Sequence, residues 1–163
     1  MTDDILFKTE RYVFSYRVAG VLVQNGCVLL QKPPDDDGYA LPGGHVGFGE
    51  TAAQALAREF REELGADLAV GELLASGEVF FPWGKRPCHQ IGLYYAVSLC
   101  GETELPLSGS FPATDELGDV RIDLDFYWMP LARLDEIALY PPQMRDVIRS
   151  LPDAPRHFVY HEA

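Results

Sequence analysis

The sequence has few cysteines, and they are not spaced as a metal or disulfide framework would require. Cys27, Cys88 and Cys100 are an odd number, and no two of them form a CxxC pair. This pattern favours neither a disulfide-stapled fold nor a cysteine zinc site. We therefore expect the three cysteines to be buried thiols.

Basic residues and long apolar runs are also scarce. Only 13 Lys and Arg accompany 25 Asp and Glu, so the net charge is -12. Without a basic cluster to contact phosphates, binding to nucleic acid polymers or anionic membranes is not expected. No apolar run approaches the roughly 20 residues that span a bilayer, and the N-terminus has no secretion signal. We expect a cytoplasmic protein, in which an anionic ligand would need a divalent cation as helper.

The sequence does have enough apolar residues for one domain, residues 1–163, with a substantial core. Asn25-Gly26 predicts a hairpin turn between two strands. The strands predicted along the chain are Tyr12 to Val23, Cys27 to Gln31, Leu68 to Leu74, Glu78 to Phe81, Gln90 to Leu99 and Asp125 to Met129. Short helices are predicted at Leu131 to Ile137 and Pro142 to Leu151, and loops at 33–38, 82–87 and 107–119. This α/β pattern indicates a mixed sheet covered on both faces.

The best-delimited element is a helix over Ala52 to Leu64. Thr51 and Gln54 have the form of a capping box, and Gly65 stands where a left-handed residue is expected to end the helix. Helical periodicity predicts an apolar stripe formed by Ala53, Leu56, Ala57, Phe60 and Leu64.

Three glutamates lie beside that stripe. Glu59, Glu62 and Glu63 occupy an arc of roughly 100°. A solvated acidic face is the ordinary interpretation of paired glutamates, but this arc contains no cation, and like charges at this spacing repel each other. Mg²⁺, or Mn²⁺ as a substitute, would turn the repulsion into coordination, because both ions prefer carboxylate oxygens. Glycines just before the helix, Gly44 among them, could bring a backbone carbonyl to the same ion.

Residues 44–66 as a whole resemble the Nudix box of the Nudix hydrolase superfamily. Gly44 is followed by Glu50 and then by Arg58-Glu59-Phe60-Arg61-Glu62-Glu63-Leu64-Gly65, so every invariant position of that motif is filled. The lead-in TyrAlaLeuProGlyGly at 39–44 is also similar to that of the family. Weaker similarity to bacterial Nudix proteins of unassigned substrate extends over most of the chain.

The resemblance implies an α/β/α sandwich, a mixed β-sheet flanked by helices, and hydrolysis of a nucleoside diphosphate linked to another group. It also implies that Glu59, Glu62, Glu63 and the Gly44 carbonyl bind Mg²⁺. Arg58 would orient a carboxylate, so the catalytic set is Arg58, Glu59, Glu62 and Glu63, and Glu50 would tie the loop to the helix. A homodimer is expected from family habit.

The general base and the substrate are left open by the sequence. Glu59 is the preferred base, and Glu116 in the 107–119 loop is the alternative. Substrate classes include nucleotide sugars, ADP-ribose and nucleoside triphosphates, and Pro82 resembles the proline of ADP-ribose pyrophosphatases. Aromatic candidates for stacking on a base are Phe48, Phe80, Phe81, Trp83 and Trp128, and candidates for a terminal phosphate are Lys85 and Arg86.

Two other functions are compatible with the same fold. A non-catalytic nucleotide-binding regulator would usually have lost carboxylates of the box, and this chain retains all of them. An isopentenyl diphosphate isomerase-like enzyme would need a positioned cysteine, and the three cysteines do not stand in such a context. A Mg²⁺-dependent pyrophosphohydrolase is therefore the leading hypothesis.

Overall fold

The computed structural model describes residues 3–117 and 120–162, and the side chains of 114–117 and 120–122 are outside that description. Helix α1 is Ala52–Leu64, helix α2 is Met144–Ser150, and a 3₁₀ helix covers Leu131–Glu136. The strands are β1 (Leu6–Lys8), β2 (Val13–Gln24), β3 (Cys27–Lys32), β4 (Gly38–Tyr39), β5 (Gly43–His45), β6 (Leu68–Trp83), β7 (Arg86–Leu99), β8 (Ser110–Leu117), β9 (Val120–Pro130), β10 (Ala138–Leu139) and β11 (Arg156–His161).

Most of these strands form one mixed sheet in the order β11-β6-β7-β2-β3-β9-β8. Strand β2 is central: it runs parallel to β7, while β1, β5 and β3 pair with it antiparallel. Strand β11 runs parallel to β6 at one edge. Strands β4 and β10 form a separate parallel pair. Because β5 pairs with the middle of β2, the loop before α1 is fixed to the centre of the sheet.

Helices cover both faces of the sheet, as the sequence pattern predicts. Strand β3 shows why, because successive side chains of a strand point to opposite faces. Leu29 packs in one core with Leu56 and Phe60 of α1. Leu30 packs in a second core, which includes Leu134 of the 3₁₀ helix and Ile148 of α2. The α/β/α sandwich is therefore confirmed.

The hairpin and the first helix agree with the sequence predictions. Asn25 and Gly26 have φ values of 54° and 75°, as a two-residue turn between strands requires. Helix α1 has the predicted bounds, its capping box is formed, and Gly65 ends it with φ 62°. Local side-chain and turn chemistry decides these elements, so the sequence alone is sufficient to find them.

The buried face of α1 differs from the predicted stripe. The fully buried residues are Ala52, Ala55, Leu56 and Phe60, whereas Ala53 and Ala57 are only partly buried. The helix packs against both β2 and β5, which turns its buried face toward the glutamates. The side chain of Glu59, predicted to lie beside the apolar stripe, is consequently only 12% exposed.

Other predicted boundaries are corrected by backbone pairing. Residues 110–117 of the predicted 107–119 loop form strand β8, paired along its length with β9. The predicted turn at 82–87 contains only Gly84 and Lys85, since β6 and β7 pair as far as Trp83 and Arg86. Helix α2 begins two residues after Pro142, and the segment Leu131–Glu136 is a 3₁₀ helix. None of the described helices has the length and apolar character that crossing a bilayer requires.

Candidate active site

The entry to helix α1 is held by hydrogen bonds between near neighbours in the sequence. Thr51 accepts a bond from the backbone of Gln54 (3.1 Å), and the Gln54 side chain accepts one from the Thr51 backbone (2.9 Å). The Glu50 carboxylate accepts a bond from the Gly47 amide at 2.8 Å. The glycine-rich loop and the first helical turn are therefore one connected unit.

Arg58 is the centre of the network that this unit carries. Its Nε and Nη2 donate to the two Glu50 oxygens at 3.1 and 2.7 Å. Nη1 donates to Glu59 at 3.0 Å and to Glu62 at 3.3 Å, and Nη2 also reaches the carbonyl of His45 at 3.2 Å. Hydrogen bonding to Arg58 holds the pKa of Glu50 below its ordinary value, and the bond to Glu50 raises the pKa of Arg58. Every nitrogen of the guanidinium is thus engaged.

Gly44 lies directly against the Glu59 carboxylate. A β-carbon added at Gly44 would lie 2.6 Å from each Glu59 carboxylate oxygen, a separation that real side chains do not tolerate. Gly44 is itself fixed by pairing with Val18 of β2. Glycine is therefore required here for close approach of backbone and carboxylate. The arrangement brings two members of the predicted site, Gly44 and Glu59, into contact.

The other two glutamates are less closely gathered. Glu62 has a side chain that is 61% exposed and forms an ion pair with Arg58. Glu63, the next residue of the helix, is partly buried. Among the side chains that the structure describes, no three from His, Cys, Asp or Glu converge to a metal-binding arrangement. The metal-binding role of Gly44, Glu59, Glu62 and Glu63 stays a prediction, as does the catalytic role of Arg58.

A cavity of about 580 Å³ opens beside Gly44 and Glu59, within the size range of small-molecule sites. Its walls include several aromatic rings. The lining rings are Tyr39, Phe81, Trp83, Tyr94, Tyr140 and Tyr160. A planar organic group, such as a nucleobase, fits such walls because rings can stack on it.

Two of the aromatic residues singled out in the sequence line this cavity, namely Phe81 and Trp83. Phe80 lies on the opposite side of β6, stacked on His161 at 4.4 Å between ring centroids. Trp128 is buried and donates to the Pro106 carbonyl, and Phe48 packs against Phe7. These three do not line the cavity. Alternation along β6 explains the split between Phe80 and Phe81.

The two cations proposed for a terminal phosphate are not part of the cavity wall either. Arg86 donates to the Thr9 carbonyl at 2.9 Å, and Lys85 lies in the exposed hairpin turn. Arg17 of β2 lines the cavity instead. The side chain of Glu116, the alternative general base, lies outside what the structure describes, so that assignment stays a prediction.

A buried polar chain, here called the floor of the cavity, joins two of its lining residues, His45 and Gln90, through Ser15. The Ser15 hydroxyl donates to the Gln90 amide oxygen at 3.1 Å, and His45 Nε2 lies 3.1 Å from the same hydroxyl. All three residues are buried. Burial, aided by the charges of Arg17 and Lys8, lowers the pKa of His45 to about 4, so its imidazole is neutral at pH 7.

Sequence reasoning missed the floor and the tyrosine wall of the cavity. Tyr39, Tyr140 and Tyr160 come from β4, from the segment after β10 and from β11, and only the folded sheet brings them together. The one available signal was a buried-strand pattern that contains polar residues, namely Ser15 and Arg17 within β2. Such residues need partners or ligands when they are buried.

Comparisons with known proteins agree with this geometry. A profile of the NUDIX domain matches residues 14–151. Over 63 residues the chain is 52% identical to "Putative 8-oxo-dGTP diphosphatase 2" of Mycobacterium tuberculosis, a match that covers 34% of this chain and 44% of that protein. Over 63 residues it is 44% identical to "CTP pyrophosphohydrolase" of Escherichia coli, covering 36% of this chain and 47% of that protein.

Solved structures show the same fold. A MutT NUDIX hydrolase from Burkholderia pseudomallei superposes with a TM-score of 0.60 at 21% identity, over 85% of this chain and 98% of that one. The matches to the two curated relatives span less than half of their lengths, whereas the family profile spans most of the present sequence. The chain therefore belongs to the Nudix domain family, as the motif at 44–66 predicts.

Proposed function

We propose that this protein is a Mg²⁺-dependent pyrophosphohydrolase that cleaves a nucleoside diphosphate linked to another group. The observation that carries the proposal is the contact between Gly44 and Glu59 in the wall of a cavity that also presents aromatic rings, with Arg58 fixing the carboxylate. A diphosphate bound at Gly44 and Glu59 would place its organic group among the rings. Relatives named for 8-oxo-dGTP and CTP support a nucleotide substrate.

The proposed metal ligands are Glu59, Glu62, Glu63 and the Gly44 carbonyl. They fit a divalent ion by their chemistry, since all are hard oxygen donors, and by the missing β-carbon that lets Gly44 approach Glu59. Nudix hydrolases generally use divalent ions. When bound, Mg²⁺ would neutralise diphosphate charge and make a coordinated water more acidic.

Arg58 and Glu50 position these carboxylates in the proposed site. Arg58 is tied to Glu50 and to the His45 carbonyl, so it holds Glu59 against the glycine loop. Its bond to the exposed Glu62 is an i,i+4 pair, and such pairs contribute less than about 1 kcal/mol. Glu62 is therefore free to turn toward a ligand while Glu59 stays in place. Glu59 is the preferred acceptor of the proton from the attacking water.

A substrate panel tests the proposal. Purified protein would be incubated with nucleoside triphosphates, 8-oxo-dGTP, ADP-ribose and nucleotide sugars, with MgCl₂ or with EDTA, and phosphate-bearing products would be separated by chromatography. We expect cleavage of at least one compound, and only with metal. Failure to cleave any diphosphate compound with metal present contradicts the proposal, and binding without turnover favours the non-catalytic regulator.

Glu63→Gln sharpens the same test. The change keeps the shape and removes a charge from the proposed metal site, so we expect kcat/KM to fall by at least about 100-fold. Glu72→Gln is the matched control, because Glu72 is an exposed glutamate of β6 outside the cavity. If folded Glu63→Gln protein cleaves as well as the control, the proposed metal site is wrong.

A further inference from the structure

Arg17 lies next to the proposed catalytic centre. In β2 it pairs with His45, and the following residue, Val18, pairs with Gly44. Its side chain faces the cavity, on the same side of the strand as Ala19. Burial lowers the pKa of His45 and raises that of Tyr94, and the charge of Arg17 adds to the first shift and opposes the second, so the guanidinium lies near both groups. Arg17 therefore reaches the space into which a diphosphate at Gly44 and Glu59 would extend.

Most of the hydrogen-bonding capacity of Arg17 is unused by the described chain. A guanidinium carries five N–H donors. Within the part of the chain that the structure describes, the Arg17 side chain makes one hydrogen bond, from Nη2 to the Leu41 carbonyl at 3.3 Å, and no salt bridge. Arg58, by contrast, makes five hydrogen bonds, four of them to carboxylates.

This difference does not come from a lack of acidic residues. The chain has 25 Asp and Glu against 13 Lys and Arg, and Asp4, Asp36, Glu59 and Glu162 are among the residues that line the cavity. Arg17 is the one Lys or Arg among the described lining residues. A partly buried cation that faces a cavity, with four donors available, is matched to an anionic ligand.

We propose that Arg17 binds the substrate phosphate that carries the group held in the cavity. The planar guanidinium fits two phosphate oxygens at once, which a lysine ammonium cannot do. The bond to Leu41 holds the side chain in place, so less rotamer entropy is lost on binding. The inference rests on the proposed function, because it takes a nucleoside diphosphate derivative as substrate, and it adds the residue that selects for the phosphate.

Steady-state kinetics of Arg17→Met and Arg17→Lys, on the best substrate of the panel, test this role. Charge-assisted hydrogen bonds of this type correspond to about 10- to 100-fold in affinity. We expect Arg17→Met to raise KM by that factor with a smaller change in kcat, and Arg17→Lys to recover only part of the loss. An unchanged KM in folded Arg17→Met protein overturns the inference.

Arg86→Met is the matched control. Like Arg17, Arg86 is a partly buried arginine with a single hydrogen bond to a backbone carbonyl, but it lies outside the cavity. Its KM should stay at the wild-type value. An equal rise of KM in both variants would show a general charge effect and would also overturn the role of Arg17.

Binding of inorganic pyrophosphate, measured by calorimetry with MgCl₂ and without turnover of a nucleotide, separates this inference from the proposed function. We expect the Arg17→Met variant to bind about 10- to 100-fold more weakly than the wild type, and Arg86→Met to bind as well as the wild type.

The outcomes separate the two proposals. If the wild type cleaves panel substrates but the two variants bind pyrophosphate alike, only the Arg17 inference fails. If nothing is cleaved but Arg17→Met weakens pyrophosphate binding, only the proposed function fails. Wild-type protein that binds no pyrophosphate contradicts the Arg17 inference.

Discussion

Arg58 of helix α1 and Arg17 of strand β2 both lie near the glycine loop, and they differ in their hydrogen-bond partners. Arg58 belongs to helix α1 and donates to Glu50, Glu59 and Glu62. All of these lie within eight residues of it in the sequence. Arg17 belongs to strand β2 and donates only to the Leu41 carbonyl among the described residues. One arginine is saturated by its own sequence neighbours, and the other keeps donors available on a cavity.

This difference indicates that Arg58 supports the structure of the site and that Arg17 recognises the ligand. A saturated guanidinium holds carboxylates in position but has no donor left for a ligand. A guanidinium with spare donors adds little to the fold and can bind an anion strongly. We therefore expect changes at Arg58 to affect stability and activity together, and changes at Arg17 to affect substrate affinity alone.

The largest expected effect is that of Arg58→Met. Removing the cation leaves the partly buried Glu50 and Glu59 carboxylates next to each other without their counter-ion. Breaking such a network costs about 3 kcal/mol in the free energy of unfolding, which urea denaturation would measure, and we expect kcat/KM to fall as well. Arg61→Met on the same helix is the control, because Arg61 is 66% exposed, and its effect should stay within about 0.5 kcal/mol. Equal stability of the two variants would remove the contrast between Arg58 and Arg17.

Gly44→Ala should have the next largest effect. The added methyl group would overlap the Glu59 carboxylate, and overpacking of this kind costs about 1 to 3 kcal/mol. The double variant with Glu59→Ala provides the test, because removal of the carboxylate removes the overlap. We expect Gly44→Ala to destabilise the Glu59→Ala protein clearly less than the wild type, measured by urea unfolding. Additive costs would show that the clash is elsewhere.

Ser15→Ala tests the buried floor on the Arg17 side. It leaves the Gln90 amide oxygen and His45 Nε2 without the hydroxyl that now bridges them. An unsatisfied buried polar group costs about 1 to 3 kcal/mol. Ser98→Ala on β7, where the serine is exposed, is the control and should change the unfolding free energy by less than about 0.5 kcal/mol. If Ser15→Ala is equally mild, the floor is not a supporting network.

The sequence predicts the Arg58 half of the site because its parts are close together in the chain. Residues 44–65 carry the motif, the capping box and the helix terminator, and each depends on side-chain chemistry within a few positions. The exception is the direction in which α1 faces the sheet, because that is decided by packing on β2 and β5. Periodicity alone therefore assigned Ala53 and Ala57 to the apolar stripe, whereas the folded helix buries Ala52 and Ala55.

The Arg17 half of the site was not predictable in the same way. Strand β8 pairs with β9 through its backbone, so the segment is extended although its serine and proline, with Gly109 just before it, predict a loop. Strand β11 adds to β6, which lies some 80 residues earlier in the chain. Tyr160 of β11 reaches the cavity only through that pairing. No local spacing reports a contact between such distant segments.

The smallest expected effect is the pH dependence of the Arg58 network, measured on Glu50→Gln. Hydrogen bonding to Arg58 holds the pKa of Glu50 below its ordinary value of 4.5. A carboxylate with a lowered pKa in the folded state stabilises the protein above pH 4.5, and this contribution is lost as the pH falls through the folded-state pKa.

We expect Glu50→Gln to lower the unfolding free energy by about 1 kcal/mol at pH 7. The difference from wild type should shrink as the pH is lowered below 4.5. Arg17 forms no salt bridge with a described carboxylate, so the unfolding free energy of Arg17→Met should stay close to that of the wild type over the same acid range. A Glu50→Gln difference that is constant from pH 7 to pH 3 would show that the Glu50–Arg58 pair does not depend on the carboxylate charge.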